Sequence, residues 1–205
     1  MKRRTDRHRQ SEAGILVGIF AGGHSSRMGT SKALLLAPDQ SGRNLLERLH
    51  DEVARVLPLS RCVVVGRRSE HTHLAFHQIE DAAPDCGPLG GLVALLGLAE
   101  SEGKSAVLAI ACDYPSLSGD LVLRLATECP EAGLLSPYLA DRHQPLFARY
   151  SVQLLEPLRQ RLDGGEFALM PFFRDRDAAR LALTEEEKGQ LVDWDCPEDM
   201  GKKGP

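Results

Sequence analysis

Several things this chain lacks narrow what it can be. No apolar run approaches the roughly 18 residues that a membrane-spanning helix needs, so no membrane anchor is expected. The five cysteines, at 62, 86, 112, 129 and 196, are odd in number and widely spaced, with no CxxC pair. Neither a disulfide framework nor a structural zinc centre is expected from them, and the pattern suits a reducing, cytoplasmic compartment. Neither sign of charge dominates: the net charge is −4 and the pI about 6.0, which argues against a protein that coats nucleic acid. There is no internal repeat and no low-complexity segment. A GxSxG nucleophile elbow is missing, so covalent hydrolase chemistry has no support. The Walker A pattern fails because Lys32 follows Ser31 rather than glycine, and GxGxxG is absent as well.

What is present describes an ordinary globular domain. Of 205 residues, 42% are hydrophobic and 26% charged, which excludes wholesale disorder. A chain of this size buries about 70% of its unfolded surface and needs no covalent staples. The charge is uneven. Residues 1–12 carry Lys2, Arg3, Arg4, Arg7 and Arg9 against Asp6 and Glu12, a net of +3 that leaves −7 for the remainder. With no apolar stretch before Ala13, this head reads as a solvated basic tail rather than an export signal. The expected organisation is a tail at 1–12, one domain at 13–200 and a short tail at 201–205.

Apolar runs at Ile15 to Phe20, Cys62 to Val65 and Ala106 to Ala111 are short and nearly continuous, as in strands buried on both faces. Ala132 to Ser136 and Pro145 to Ala148 are weaker strand candidates, and Gln78 to Glu80 is a short one. Helical spacing appears at Leu45 to Leu57, Leu89 to Ala99, Ser151 to Leu162 and Phe167 to Phe173. Ser118 is placed to cap a further helix over Gly119 to Cys129. This alternation predicts an α/β fold, a Rossmann-like three-layer αβα sandwich with a mostly parallel sheet. Such sheets bind ligands beyond the carboxyl ends of their strands, which selects the loops at 21–32, 81–91 and 112–117.

The first of these loops is Ala21-Gly22-Gly23-His24-Ser25-Ser26-Arg27-Met28-Gly29-Thr30-Ser31-Lys32. Its glycines permit a tight turn whose N–H groups can line an anion pocket. Arg27 offers a planar fork to phosphate oxygens and Lys32 a compact charge. Gly-Gly alone would mean no more than a strand–helix turn; the added cations point to a polyphosphate site. In the third loop Asp113 follows an apolar strand and precedes Tyr114-Pro115, where a carboxylate can help hold Mg2+. A turn or capping aspartate is the competing reading. The histidines at 71, 73 and 77 lack a completing ligand and read as surface residues.

Together these segments resemble the MobA-like nucleotidyltransferases. Phe20 to Lys32 (FAGGHSSRMGTSK) is similar to the family's LAGGxSxRMGxDK. Glu80-Asp81 followed by Gly87-Pro88-Leu89-Gly90-Gly91 resembles its ED…GPLAG, and Cys112-Asp113-Tyr114-Pro115 its CD-x-P turn. Asp195-Cys196-Pro197-Glu198-Asp199-Met200 resembles N-T-P-E-D-L. The resemblance implies transfer of GMP from GTP to molybdopterin with release of pyrophosphate, dependent on Mg2+. Arg27, Lys32 and Asp113 would be catalytic. Phe20, Ala21, Gly22, Gly23, Lys32, Asp81, Gly87, Pro88, Leu89 and Asp113 would contact the nucleotide, and Asp113 with Asp195 would hold the metal. For Asp81 and Asp195 a simple turn-forming role is physically sufficient too. His143-Gln144-Pro145 is similar to a His-Pro stretch on the family's pterin side. The resemblance also implies partner proteins that insert molybdenum or deliver the cofactor, and neither nucleic acid nor membrane as partner. Related activities keep the fold and change the substrates: CTP for GTP, or a sugar phosphate for molybdopterin. A non-catalytic cofactor-binding relative is the remaining alternative. The chain departs from the family pattern at several places: Ser31 stands for the usual Asp, Gly66 where some members carry Asn, Phe20 for the usual Leu, and Asp193 and Asp195 where Asn-x-Asn is common.

Overall fold

The computed structural model describes residues 14–21, 32–66 and 76–194. The basic head, most of the first loop and the segment from 195 onward lie outside the described residues. Five strands begin the account of the sheet: β1 (Ile15–Phe20), β2 (Arg61–Val65), β3 (Gln78–Ile79), β4 (Ala106–Ala111) and β5 (Leu134–Leu139). They are joined by β6 (Arg142–His143), β7 (Phe147–Ser151) and β8 (Ala179–Leu181). The order across the sheet is β3-β2-β1-β4-β7-β5-β6, with β8 beside β5. Pairing is parallel from β3 through β4 and between β5 and β8, and antiparallel where β7 enters between β4 and β5.

Helices cover both faces. Those described are α1 (Leu45–Val56), α2 (Pro88–Ser101), α3 (Gly119–Thr127), α4 (Leu155–Asp163), α5 (Leu169–Asp175) and α6 (Glu185–Gln190). Alternation along β1 sorts the core into two layers. Val17 and Ile19 join Leu46, Leu49, Val53, Leu121 and Leu125 on the α1/α3 face. Leu16 and Phe20 join Leu92, Leu95, Leu96, Leu158 and Phe172 on the α2/α4/α5 face. The doubly covered, mostly parallel sheet is the architecture expected. None of the helices among the described residues is long and apolar enough to cross a membrane.

Local chemistry explains the helix ends. Asn44 Oδ1 accepts from the Glu47 N–H at 2.8 Å while the Glu47 carboxylate accepts from the Asn44 N–H at 3.0 Å, a reciprocal cap on α1. Ser118 caps α3 as expected, its hydroxyl accepting from the Leu121 N–H at 3.3 Å. Helix α2 carries apolar residues on all sides and is buried along most of its length.

The weaker expectations shift. Residues 144–146 form a turn, closed by the Phe147 N–H donating to Gln144 O at 3.0 Å, so β7 begins at Phe147 rather than Pro145. Ala132 closes a turn on Cys129 O at 2.9 Å, which delays β5 to Leu134. Val152–Leu154 is a 3-10 turn before α4 begins. Strand β8 and helix α6 have no counterpart in the sequence expectations. Each is short, and α6 buries none of its residues, so neither leaves a periodic apolar trace.

One buried charge ties the layers together. Arg149, on β7, is 4% exposed, and burial pushes its pKa below the ordinary arginine value. Its guanidinium donates to Cys129 O, in the turn that Ala132 closes, and to Ala126 O at 2.9 Å and Leu125 O at 3.2 Å, carbonyls left open at the end of α3. Replacing it with methionine fills much of the volume but strands those acceptors. Arg149→Met is expected to lower stability by roughly 2–3 kcal/mol in urea unfolding, and an unchanged midpoint would contradict this role.

Candidate functional site

The parallel registers bring three strand ends to one level. Phe20 is the partner of Val65 on one side and of Ala111 on the other. Beyond them the backbones stay joined: Ala21 N–H donates to Val65 O at 3.1 Å, and Cys112 N–H to Phe20 O at 3.1 Å. The loops selected from the sequence therefore leave the sheet side by side.

Lys32 opens a 3-10 turn, Lys32–Leu34, anchored by the fully buried Ala33. Its Nζ lies 3.6 Å from Asp113 Oδ2, and the two side chains are 19% and 24% exposed. A cation from the first loop and an anion from the β4 loop thus meet at the sheet edge, partly open to solvent. The Asp113 turn is held from beneath. Tyr114 is buried and stands edge-on to Phe147, with ring centroids 6.3 Å apart. Asp113 O accepts from the Trp194 N–H at 3.1 Å. Trp194 is buried against Ala37 and Leu45, so the chain's return to this turn is fixed by packing. Asp195 is next in sequence and lies outside the described residues, as do Gly22, Gly23 and Arg27.

The third contribution comes from α2. Gly87 precedes it at φ 57°, a left-handed geometry suited to glycine, and Pro88 takes the first turn, where its missing N–H costs nothing. Leu89 is fully buried in the core layer beneath α2, so the structure does not open it to a ligand. Gly90 and Gly91 have a steric explanation. A Cβ on Gly90 would lie 2.9 Å from Ala83 O. One on Gly91 would lie 2.6 Å from Val65 Cγ1, 2.9 Å from the Phe20 ring and 3.0 Å from Asp81 Oδ1. The helix start, Phe20 and the Asp81 carboxylate are therefore packed as one unit. Gly66 sits at φ 90°, donating its N–H to Ile79 O at 3.1 Å. Asparagine tolerates left-handed backbone better than most side chains, so Gly or Asn at this place answers a backbone demand.

Neighbouring groups exclude covalent chemistry by the nearest thiol. Burial, then the Asp113 charge, pushes the Cys112 thiol up to about 12, which keeps it protonated and unreactive. His77 is exposed, and no cluster of three metal-ligating side chains forms among the described residues. Two residues that carry the site's geometry escaped the sequence reading. Arg48 donates to Leu117 O at 2.9 Å and lies 3.6 Å from Asp39, bracing the loop after Asp113 against α1. Trp194 is the other; a lone tryptophan directly before Asp195 was its available signal.

His143 is placed on the α2/α5 side of the sheet, 6% exposed, its ring 5.1 Å from Tyr138 and 5.0 Å from Phe173. Burial, then the Arg180 charge, holds its imidazole below the usual histidine pKa, against a backbone hydrogen bond with Ser136 that favours protonation.

Residues 17–181 match the MobA-like NTP transferase domain, and the chain belongs to that family. It is 30% identical to a protein of Opitutus terrae named a probable molybdenum cofactor guanylyltransferase, over 94% of this chain and 96% of that one. It is 29% identical to a Haemophilus influenzae protein named molybdenum cofactor guanylyltransferase, over 90% and 94%. Among solved structures, the fold is shared with molybdopterin-guanine dinucleotide biosynthesis protein A from Archaeoglobus fulgidus, with a TM-score of 0.71, 18% identity, and 90% and 94% of the two chains covered.

Two predictions follow from the packing and the burial. Gly91→Ala is expected to cost about 1–3 kcal/mol, because Val65 and Phe20 must both yield. Gly97→Ala, whose Cβ would meet only Arg159 at 3.5 Å, is expected to be neutral or stabilising. Thermal melts of the two variants test the contrast; equal melting points would contradict it. His143 folds neutral with a lowered pKa, so its share of stability is intact above the ordinary value of about 6.5 and is lost as pH falls below it. The urea midpoint of His143→Phe should therefore fall less than that of the unaltered protein between pH 7 and pH 5.

Proposed function

We propose that this protein transfers GMP from GTP to the phosphate of molybdopterin, forming the guanine dinucleotide of the cofactor and releasing pyrophosphate. The observation that carries the reading is the meeting of Lys32 and Asp113, 3.6 Å apart, at the strand ends beside the glycine-rich start of α2. The names of the relatives supply the nucleotide and the acceptor. A partly exposed carboxylate at the strand ends is a donor that suits Mg2+. Mg2+ takes one or two carboxylates and completes its shell with phosphate oxygens and water, so Asp113, with Asp195 as a second candidate, would hold it. Bound there, it would supply charge neutralisation between the nucleotide and the incoming phosphate.

The chain's own part is binding and electrostatics. Lys32 places its ammonium where negative charge grows on the α-phosphate and the departing pyrophosphate, and Arg27 is assigned the same task. Asp113 orients Lys32. The segment from Asp81 to Leu89, through its backbone and the Asp81 carboxylate, is assigned to the nucleoside. The N–H groups of Gly22 and Gly23 are assigned to the phosphates, and Phe20 and Ala21 to the floor beneath them. The acceptor phosphate oxygen attacks the α-phosphorus in line as the bond to pyrophosphate breaks. That phosphate is ionised near neutral pH, so no general base is required. Alignment of two bound reactants supplies much of the acceleration. The free thiols Cys62, Cys86 and Cys112 suit a reducing cytoplasm, where proteins that insert molybdenum or deliver the cofactor would be partners.

The test is pyrophosphate release with molybdopterin and Mg2+, comparing GTP, CTP, ATP and UTP. Release with GTP alone, abolished by EDTA, is expected. Preference for CTP would move the specificity to cytidine, and silence with all four in folded protein would overturn the reading. Asp113→Ala is expected to lose at least about 100-fold in turnover; normal turnover would refute the assigned role.

A further inference from the structure

Away from the Lys32–Asp113 pair, the same sheet edge carries a second group of side chains with no role in the account above. Tyr138, near the end of β5, is a large aromatic residue left 36% exposed. The Arg180 guanidinium lies over its ring, 3.9 Å from the centroid. Arg180 stands on β8 opposite Ser136, and His143 stands on β6 opposite Tyr138. The His143 ring meets Tyr138 edge-on at 79° and fixes it from the core side, while Phe173 backs His143. Arg142, next to His143, is exposed on the same hairpin. No carboxylate among the described residues pairs with Arg180. His143 Nδ1 is buried within this cluster without a hydrogen-bond partner among the described residues, a rare state for a polar atom.

The position of this group relative to Asp113 follows from the sheet. Strand β5 is two places from β4, with β7 between, so the strands are about 10 Å apart. Strands β4 and β5 are each antiparallel to β7 and so run in the same direction, which carries Tyr138, near the end of β5, to the end of the sheet where β4 delivers Asp113. The stack therefore lies on the same edge as Asp113, on the side away from the α2 segment assigned to the nucleoside. Arg180 is exposed, so its guanidinium, seated over the Tyr138 ring, still presents N–H groups and surface to solvent. It can stack on a planar heterocycle and hydrogen-bond anionic or carbonyl oxygens at once.

We infer that Tyr138 and Arg180 form the platform that holds the acceptor's planar heterocyclic end while its phosphate lies at Asp113. The inference rests on the proposed reaction, and deepens it by naming positioning and specificity residues for the acceptor. Arg180 supplies the stacking face and the hydrogen bonds. Tyr138 seats the guanidinium, and the β5–β6 hairpin holds Tyr138. A lysine at 180 would keep the charge and lose the plane, whereas a phenylalanine at 138 would keep the ring.

The test separates acceptor binding from nucleotide binding. Equilibrium dissociation constants for molybdopterin and for GTP, and steady-state KM and kcat, are measured on the full chain and on Arg180→Ala, Arg180→Lys, Tyr138→Ala and Tyr138→Phe, with thermal melts beside them. Arg180→Ala and Tyr138→Ala are expected to raise the molybdopterin Kd and KM about tenfold or more, leaving the GTP Kd within twofold. Arg180→Lys should restore little and Tyr138→Phe most of the affinity. A brace that merely pins β8 to β5 would lower the melting point without this split. Molybdopterin affinity within twofold of the unaltered protein in Arg180→Ala and Arg180→Lys would overturn the platform while GMP transfer stands. An unaltered protein that binds GTP but not molybdopterin would overturn the proposed acceptor, and the platform with it.

Discussion

The constraint on which the structure depends is the register of β1. As the central parallel strand, it pairs Phe20 with Val65 and Ala111 at once. A shift of one residue would turn Val17 and Ile19 away from the α1/α3 layer and Leu16 and Phe20 away from the α2 layer. Two separate cores therefore oppose any slip. Because register is so well determined, the loops after β1 and β4 leave the sheet at the same height, and Lys32 and Asp113 meet without a dedicated scaffold between them. Gly18, at the middle of β1, shows how closely α2 is drawn onto the strand: a Cβ there would lie 2.4 Å from Leu95 Cδ2.

The parallel half of the fold was legible because its signals are strong and local. Ile15–Phe20 and Ala106–Ala111 have the boundaries that their apolar runs suggest, since a strand covered on both faces has no polar position to blur its ends. Ser118 marks the start of α3 because a hydroxyl at that place satisfies a free N–H. The antiparallel half was harder to read. Leu134–Leu139 contains a buried serine and a proline, and β6 is two residues long. The Ser136 hydroxyl, which accepts from the Gln144 N–H at 2.9 Å, does there what a strand partner would do elsewhere, and no pattern of hydrophobicity announces it. The hairpin between β5 and β6 turns through Ala140 and Asp141, both at positive φ, where Asn-Gly would have been the readable choice.

The site divides in the same way. Asp113 and the Gly87–Gly91 segment could be found from motif and position. The reason for Gly90 and Gly91 could not, because it lies in distances to Ala83, Val65 and Asp81 that only the packed chain has. Arg48 and Trp194 were hidden for a related reason. Each acts by holding a loop backbone, through Leu117 O and Asp113 O, and backbone contacts between distant segments leave no mark in composition or spacing.

The electrostatic layout bears on how such a site can work without a nucleophile. Its nearest thiol, Cys112, is held protonated first by burial and then by the Asp113 charge. At the ends of β1 and β4 the described residues set a cation and an anion together, both partly solvated. A transfer between two phosphates needs little more, because the reacting groups bring their own charge and the protein's task is to hold them in line. Precision then comes from the backbones beneath the pair. Tyr114 packed on Phe147, Trp194 bonded to the Asp113 carbonyl and Ala33 sunk in the core each restrict the motion of Lys32 or Asp113 without entering the reaction. The antiparallel β7 follows from the same economy: by running back beside β4 it sets β5, with β6 and β8, in the same sheet as β4, and so widens the edge where Asp113 stands.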